Sequence, residues 1–384
     1  MYILYLLKYL VSLCRFIFVL LLLIVQTGIV FSQPVLPVPD HIVIAILENH
    51  AYTQIIGSAA SPNINTLASG PYSALFTQSY GIEHPSQPNY LDLYSGCNQG
   101  VSGDEFPTSN PFTTANLGRQ LIDSGRTFIT YSEDLPNVGY NGASSDGYVR
   151  KHNPAANWMG TGVNQIPATT NQPFSAFPSN NFTLLPAVCF VVPDQSNNMH
   201  DGIDPSRITT GDTWIYNNLN SYVEWSKTHN SLFILTFDED NNTNGNRIVT
   251  ILSGQMVKAG EYPETINHYN ILRTIEDMYG LPYACNASAA HPISGCWNDI
   301  KPDDNVFSVY PNPASQEFTI QIESAGFGMF GNVEIYNVLG EKVFEENFVS
   351  SFSSVIHLKN ISSGIYFVKM SDGKKMHTKK LIVK

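Results

Sequence analysis

Two short acidic stretches hold the right residue types for binding a hard cation. Leu47-Glu48-Asn49-His50 presents a carboxylate and an amide at the end of an apolar run, and Phe237-Asp238-Glu239-Asp240-Asn241 presents adjacent carboxylates at the end of another. All-oxygen donors of this kind suit Ca, Mg, Mn, Fe or Zn and exclude a soft-metal site. Neighbouring carboxylates repel unless a cation lies between them and Glu48. Each stretch also has a plainer reading: Asn49 as a helix cap, and the acidic run as a solvated turn. A third stretch, Glu83-His84-Pro85-Ser86-Gln87-Pro88-Asn89-Tyr90, leads into Leu91-Asp92-Leu93-Tyr94, a helical segment. Ser86 then sits at or just before a helix N-terminus, where free N–H groups and the dipole favour an anion such as a phosphoryl group. A serine hydroxyl is a weak nucleophile unless a base or metal lowers its pKa. A simple N-cap is the commonest role for serine at that place. Three further settings, Lys151-His152-Asn153-Pro154, Met199-His200-Asp201-Gly202 and Asn267-His268-Tyr269, offer imidazoles for phosphate contact or proton transfer if they converge on one pocket. Asp194, just after Cys189-Phe190-Val191-Val192, is a further candidate ligand.

These residues need a scaffold that brings strand ends together. His41-Ile42-Val43-Ile44-Ala45-Ile46-Leu47 is a nearly continuous apolar run, as expected of a strand buried on both faces. Leu232–Phe237, Ile248–Leu252 and Cys189–Val192 have the same character. Helical candidates run from Asn116 to Ser124, Thr213 to Lys227 and His268 to Tyr279, the last with Ile271, Leu272, Ile275 and Met278 at helical spacing. Such alternation predicts an α/β fold with a mostly parallel sheet, which binds ligands at the carboxyl ends of its strands. The stretch 131–186, rich in Asn, Pro, Gly and Ser, reads as an excursion that shapes a substrate pocket. After Asn305 the pattern becomes alternation: Phe318–Ile322, Val333–Tyr336, Ser354–Leu358, Ile365–Lys369 and Lys379–Lys384 predict a small antiparallel β-sandwich.

Bulk properties narrow the class. Hydrophobic residues make up 43% and charged residues 14% of 384, which supplies a core and argues against disorder. A net charge of −12 disfavours nucleic acid as a partner, and it requires metal or local donors at any phosphate site. Lys8 and Arg15, the apolar run Phe16–Val25 and the small and polar residues near Ser32 read as a secretory signal peptide over residues 1–32, with a membrane anchor as the alternative. No later stretch has the length of a membrane span. Cys14 leaves with the signal, and four cysteines then remain for an oxidising compartment. Cys285 and Cys296 flank a short loop and are expected to pair. Cys97 with Cys189 is arithmetically open.

Six motifs in order resemble the phosphoesterase family that contains bacterial acid phosphatases and phospholipases C, within the alkaline-phosphatase superfamily. They are Leu47-Glu48-Asn49-His50, His84-Pro85-Ser86-Gln87-Pro88-Asn89-Tyr90, Arg150-Lys151-His152-Asn153-Pro154, Met199-His200-Asp201-Gly202, Phe237-Asp238-Glu239 and His268-Tyr269-Asn270-Ile271-Leu272-Arg273-Thr274-Ile275-Glu276-Asp277. The resemblance implies an alkaline-phosphatase-like α/β/α sandwich over residues 33–300. It implies Glu48, Asn49, Asp238 and Glu239 as ligands of a divalent metal, with Asp194 a further one. One ion is expected, and Asp194, His200 and His268 are candidates for a second. It implies Ser86 as nucleophile and His200 and His268 as leaving-group acids. His84, Asn89, Lys151 and His152 are then phosphate contacts. Past a linker at 301–306, residues 307–384 resemble the type A C-terminal sorting domain of the type IX secretion system, on Phe307-Ser308-Val309-Tyr310-Pro311-Asn312-Pro313-Ala314, Val333–Gly340 and Ser363-Gly364-Ile365-Tyr366. That implies the secretion machinery as a partner and a secreted or cell-surface location.

The expected function is an exported, metal-dependent phosphomonoesterase working through a phosphoserine. A phosphodiesterase of phospholipase C type is the rival, and a non-catalytic surface protein is the second.

Overall fold

The computed structural model describes residues 36–298, 307–322, 330–349, 353–358, 361–371 and 376–384. The expected signal peptide (1–32, with Cys14) and the linker (301–306) lie outside the described residues. The chain divides after Cys296 into two compact units.

The first unit is built on eight strands: β1 His41–Leu47, β2 Ser73–Tyr80, β3 Phe128–Ser132, β4 Asn171–Pro173, β5 Val188–Val192, β6 Ser231–Phe237, β7 Arg247–Ser253 and β8 Gly260–Asn267. Their order across the sheet is β8-β2-β7-β6-β1-β5-β3-β4. Only β7 runs antiparallel to its neighbours. Helices α1 Pro62–Ala68, α2 Ser86–Ser95, α3 Leu117–Asp123, α4 Ser206–Ser226 and α5 His268–Tyr279 connect them. The apolar run of β1 is buried on both faces, as its composition predicts. Val43, Ala45 and Leu47 join a core with Ile64 of α1 and Ile208, Trp214, Leu219 and Tyr222 of α4. The alternate residues Ile42, Ile44 and Ile46 are equally buried. On that face Tyr94 of α2 meets Phe190 of β5, with ring centroids 5.9 Å apart. Layers of helix, sheet and helix result, the α/β class the strand–helix alternation predicts. Each such buried side chain contributes about 2 kcal/mol of transfer free energy.

Register decides where the chemistry sits. β1 pairs with β6 in parallel, Leu47 opposite Phe237. Both strands therefore end level, and Glu48 and Asp238 are the next residue on each. The Asp238 amide donates to Leu47 O at 3.0 Å, extending the pairing one step. α4 begins seven residues before the expected Thr213; Thr209, Thr210 and Gly211 are weak helix formers and blur its start in the sequence.

The cysteine pairing differs from expectation. Cys97 bonds Cys285, with Cα atoms 5.9 Å apart, while Cys189 and Cys296 are free and buried. α2 ends on Gly96 in the left-handed region, where a Cβ would stand 2.2 Å from Ala284 O. That close approach, with the Asn286 amide donating to Gly96 O at 3.1 Å, lays Cys285 beside Cys97. The segment after Cys285 is drawn away: Asn270 of α5 holds His291 O and Thr274 receives the Ile293 amide. Cys296 ends against Lys258, whose amide donates to its carbonyl. Sequence proximity was a poor guide because the loop is anchored to α5. A bond spanning 188 residues constrains the unfolded chain strongly, on the order of 4 kcal/mol. Cys97→Ser should therefore lower the melting temperature of the protein by roughly 5–10 °C. Non-reducing peptide mapping should recover a Cys97–Cys285 link, and a Cys285–Cys296 peptide would refute the pairing.

The second unit holds β9 Phe307–Tyr310, β10 Glu317–Ile322, β11 Phe330–Asn337, β12 Lys342–Val349, β13 Ser353–His357, β14 Gly364–Ser371 and β15 Met376–Val383. They form a three-stranded sheet, β9-β10-β13, and a four-stranded sheet, β12-β11-β14-β15, with every pair antiparallel. Phe307, Phe318, Ile320, Val333, Ile335, Ile356, Val368 and Leu381 share one core. This is the β-sandwich that the alternating pattern predicts.

Candidate active site

Ser86 is the first residue of α2 and only 2% exposed. Its hydroxyl lies 3.1 Å from Glu48 Oε2 and 3.0 Å from Glu239 Oε1. One proton thus faces two carboxylates from two strand ends. Asn49 ties them together: its side-chain Nδ2 donates to Glu239 Oε1 at 2.6 Å and to Ser86 Oγ at 3.4 Å, and its amide donates to Asp238 Oδ1 at 3.0 Å. Asn49 adopts φ of 44°, a left-handed conformation that asparagine tolerates better than most residues. That turn aims both its amide and its side chain at the acidic pair.

The electrostatics are those of crowded, buried carboxyls. Burial, then the charge of Asp238, pushes Glu48 well above the usual range. Burial, then the charge of Glu239, raises Asp238. Burial also raises Glu239, against the hydrogen bond from Ser86. Asp238 Oδ2 is buried with no hydrogen-bond partner among the described residues. Among the described residues no group of three or more His, Cys, Asp and Glu stands ready-made at cation-ligand spacing. The donor set itself fits a hard divalent ion: three carboxylates and an amide, all oxygen donors, with one carboxylate oxygen unsatisfied.

The expected phosphate contacts divide into two groups. His84 Nδ1 bonds Glu239 Oε2, and its Nε2 lies 3.6 Å from Asp240 Oδ1. His152 is buried, with Nε2 3.2 Å from Glu48 Oε1 at an angle that makes no hydrogen bond, and Nδ1 3.2 Å from the Asn198 amide nitrogen. Burial, then Lys151, holds its pKa well below the usual value, so His152 is neutral. His200 stacks obliquely near it, ring centroids 5.8 Å apart, and its Nδ1 bonds Asp201 at 2.8 Å. Lys151 Nζ reaches Asp104 Oδ2 at 2.7 Å.

Three residues stand differently. Asn89 is fully occupied: it accepts from the Ile82 and Glu83 amides and donates to Glu83 O and Pro85 O. It therefore shapes the loop before Ser86. Asp194 caps its own turn, accepting from the Ser196 and Asn197 amides. His268 is buried at the start of α5, its Nε2 3.0 Å from Phe237 O, and burial lowers its pKa to about 4. It braces the strand end that bears Asp238.

Four supporting residues were not singled out from sequence. Tyr90 donates its hydroxyl to Glu48 Oε1 and stacks on His152 at 5.2 Å. It lies four residues after Ser86, on the same helical face, and that spacing was the available signal. His50 Nδ1 bonds Glu48 O at 2.6 Å and its Nε2 bonds Asp204 at 3.0 Å. Asn198 receives the Glu48 amide on its carbonyl at 2.8 Å. Asp104 accepts from the Gln87 amide at 3.0 Å, in the first turn of α2. His50 stood in view beside Glu48, but Asp204, Asn198 and Asp104 carry no mark in the linear pattern.

Residues 60–282 match the Phosphoesterase family, and residues 308–384 match the secretion system C-terminal sorting domain. The chain is similar to the phosphatidylinositol-3-phosphatase of Mycobacterium tuberculosis, 42% identical over 275 residues, which cover 71% of this chain and 87% of that protein. It is also similar to the phosphate-repressible acid phosphatase of Penicillium chrysogenum, 30% identical over 302 residues, 72% of this chain and 70% of that one. A solved alkaline-phosphatase-superfamily protein from Vibrio parahaemolyticus overlays 92% of this chain and 84% of its own at 11% identity, with a TM-score of 0.48, too loose an overlay to bear on chemistry. The chain thus belongs to the Phosphoesterase family, as a phosphoric ester hydrolase with a secretion-system sorting domain for its tail.

Proposed function

We propose that the protein is an exported, metal-dependent phosphomonoesterase that acts through a phosphoserine at Ser86. The observation that carries this reading is the Ser86 hydroxyl, at a helix N-terminus, held between Glu48 and Glu239. A divalent cation held by Glu48, Asp238 and Glu239, with Asn49 beside them, would lower the hydroxyl pKa and neutralise phosphoryl charge.

Ser86 Oγ gives its proton to a flanking carboxylate and forms a bond to phosphorus. The bond from phosphorus to the ester oxygen breaks, and its electron pair goes to the leaving alcohol. His200 supplies the proton that alcohol needs; it is about one-third exposed and reachable by a substrate, whereas His268 is sealed in the core and neutral. Water then attacks phosphorus, the serine–phosphorus bond breaks, and Oγ regains a proton as inorganic phosphate leaves. His84, one-third exposed at the edge of the acidic cluster, and neutral His152, buried against Glu48, would donate hydrogen bonds to phosphoryl oxygens. The leader expected at residues 1–32 and the sorting domain together support a secreted or cell-surface location. Phosphoinositides are a reasonable substrate class to test, given the name of the Mycobacterium tuberculosis relative.

The rival is diester cleavage by the same core. Purified protein should hydrolyse 4-nitrophenyl phosphate at least about 100-fold better in kcat/KM than bis(4-nitrophenyl) phosphate. A reversed ratio would make it a phosphodiesterase.

A further inference from the structure

Gln87, the residue after Ser86, lines a cavity of about 140 Å³ together with Asp104, Phe106, Val149, Arg150 and Lys151. Arg150 is 2% exposed. Its Nη2 donates to Ala156 O at 3.0 Å, but Nε and Nη1 are buried without hydrogen-bond partners among the described residues. No carboxylate among the described residues forms an ion pair with it. Phe106, itself half exposed, covers the guanidinium at 4.1 Å from its ring centroid. A buried, uncompensated guanidinium is costly unless an anion joins it. Burial accordingly lowers its pKa to about 10, which still leaves it charged at neutral pH.

The wall of this cavity is shared with the catalytic core. The single turn Arg150–His152 puts Arg150 and Lys151 in the cavity and His152 beside Glu48. Gln87, the residue after Ser86, holds the loop bearing Asp104 and Phe106: its side chain donates to Gly103 O and Glu105 O, and its amide to Asp104. Asp104 in turn engages Lys151. Two cationic side chains therefore line a space walled by the residue after the nucleophile, Lys151 tethered to the one-third-exposed carboxylate of Asp104 and Arg150 with no carboxylate partner among the described residues.

We propose that this cavity is an anion subsite for the leaving portion of the substrate, in which Arg150 and Lys151 hold a second phosphate carried by the alcohol that Ser86 releases. The proposal rests on the phosphatase reading above and narrows its substrate class to esters whose alcohol is itself phosphorylated, whether as a free phosphate or as a phosphodiester. Phe106 would shift aside to admit the group, and an incoming phosphate would compete with Asp104 for Lys151.

The test compares inositol 3-phosphate, inositol 1,3-bisphosphate and dibutanoyl phosphatidylinositol 3-phosphate as substrates of the whole secreted protein. Wild type should favour at least one doubly phosphorylated substrate over inositol 3-phosphate by about 10-fold or more in kcat/KM, chiefly through KM. The bisphosphate arm reports a free second phosphate and the lipid arm an esterified one. Arg150→Met should collapse that preference to within about threefold, and Arg150→Lys should keep part of it. Equal loss on all three substrates in Arg150→Met would overturn the subsite. So would a wild type with no preference for either doubly phosphorylated substrate. If Arg150→Met fails to give a cooperative melt, the wild-type ratios and Arg150→Lys decide the matter. A wild type that releases no phosphate from any of the three would sink the phosphatase reading and the subsite with it.

Discussion

Ser86→Ala is expected to lower phosphate release by about four orders of magnitude or more, because removing a nucleophile leaves only binding and electrostatic catalysis. The fold should persist. The side chain is small, it begins α2 without capping it, and alanine suits the first helical turn. The loss would fall on kcat, since the phosphate contacts proposed for His84 and His152 would remain. Rapid acid quench of wild type with a labelled phosphate ester should trap an acid-stable phosphoserine on the peptide containing Ser86. Near-normal turnover in Ser86→Ala, with an intact melt, would remove the nucleophile assignment and leave the acidic cluster without its chemistry.

The second large effect concerns the cation. Chelation should abolish activity, by about 100-fold or more, and readdition of a divalent ion should restore it. Asp238→Asn gives the more searching comparison. Asparagine keeps an oxygen to accept the Asn49 amide and removes one of three crowded buried charges. In chelated protein the variant should therefore melt about 2 °C or more above wild type, because carboxylate repulsion is relieved. With the ion present the order should reverse, because the variant has lost a ligand and the stabilisation that binding supplies. If chelation changes neither activity nor melting, and the two proteins keep one order in both conditions, no cation belongs among these carboxylates.

Legibility was uneven for physical reasons. β1, β5, β6 and β7 were visible because strands buried on both faces must be continuously apolar. β2 and β8 were not: Ser73–Tyr80 mixes serine, threonine and glutamine with apolar residues, and Gly260–Asn267 is an edge strand that is largely exposed. The stretch 131–186 reads as loose from its composition, yet Arg150, His152 and Asn153 and the residues 155–158 are buried in short helical turns. Polarity was misleading there because their polar groups meet one another inside: Asn153 bonds Ser132 and Asn171. The same blindness applies to Arg150, whose isolation from every carboxylate among the described residues is visible only in three dimensions.

From the chain alone came the residue types at each strand end, the serine at the start of a helix, and the two-part organisation. All three are local: strand burial, helix initiation and the change from helical to alternating periodicity each leave a mark within a dozen residues. Tertiary structure alone decided the partners. Parallel pairing with Leu47 opposite Phe237 carries Glu48 to Asp238 across 190 positions of chain, and the anchoring of the last loop to α5 gives Cys285 to Cys97 instead of Cys296. Such pairings depend on how separate elements dock, and docking is set by the whole buried surface, which no short stretch of sequence contains.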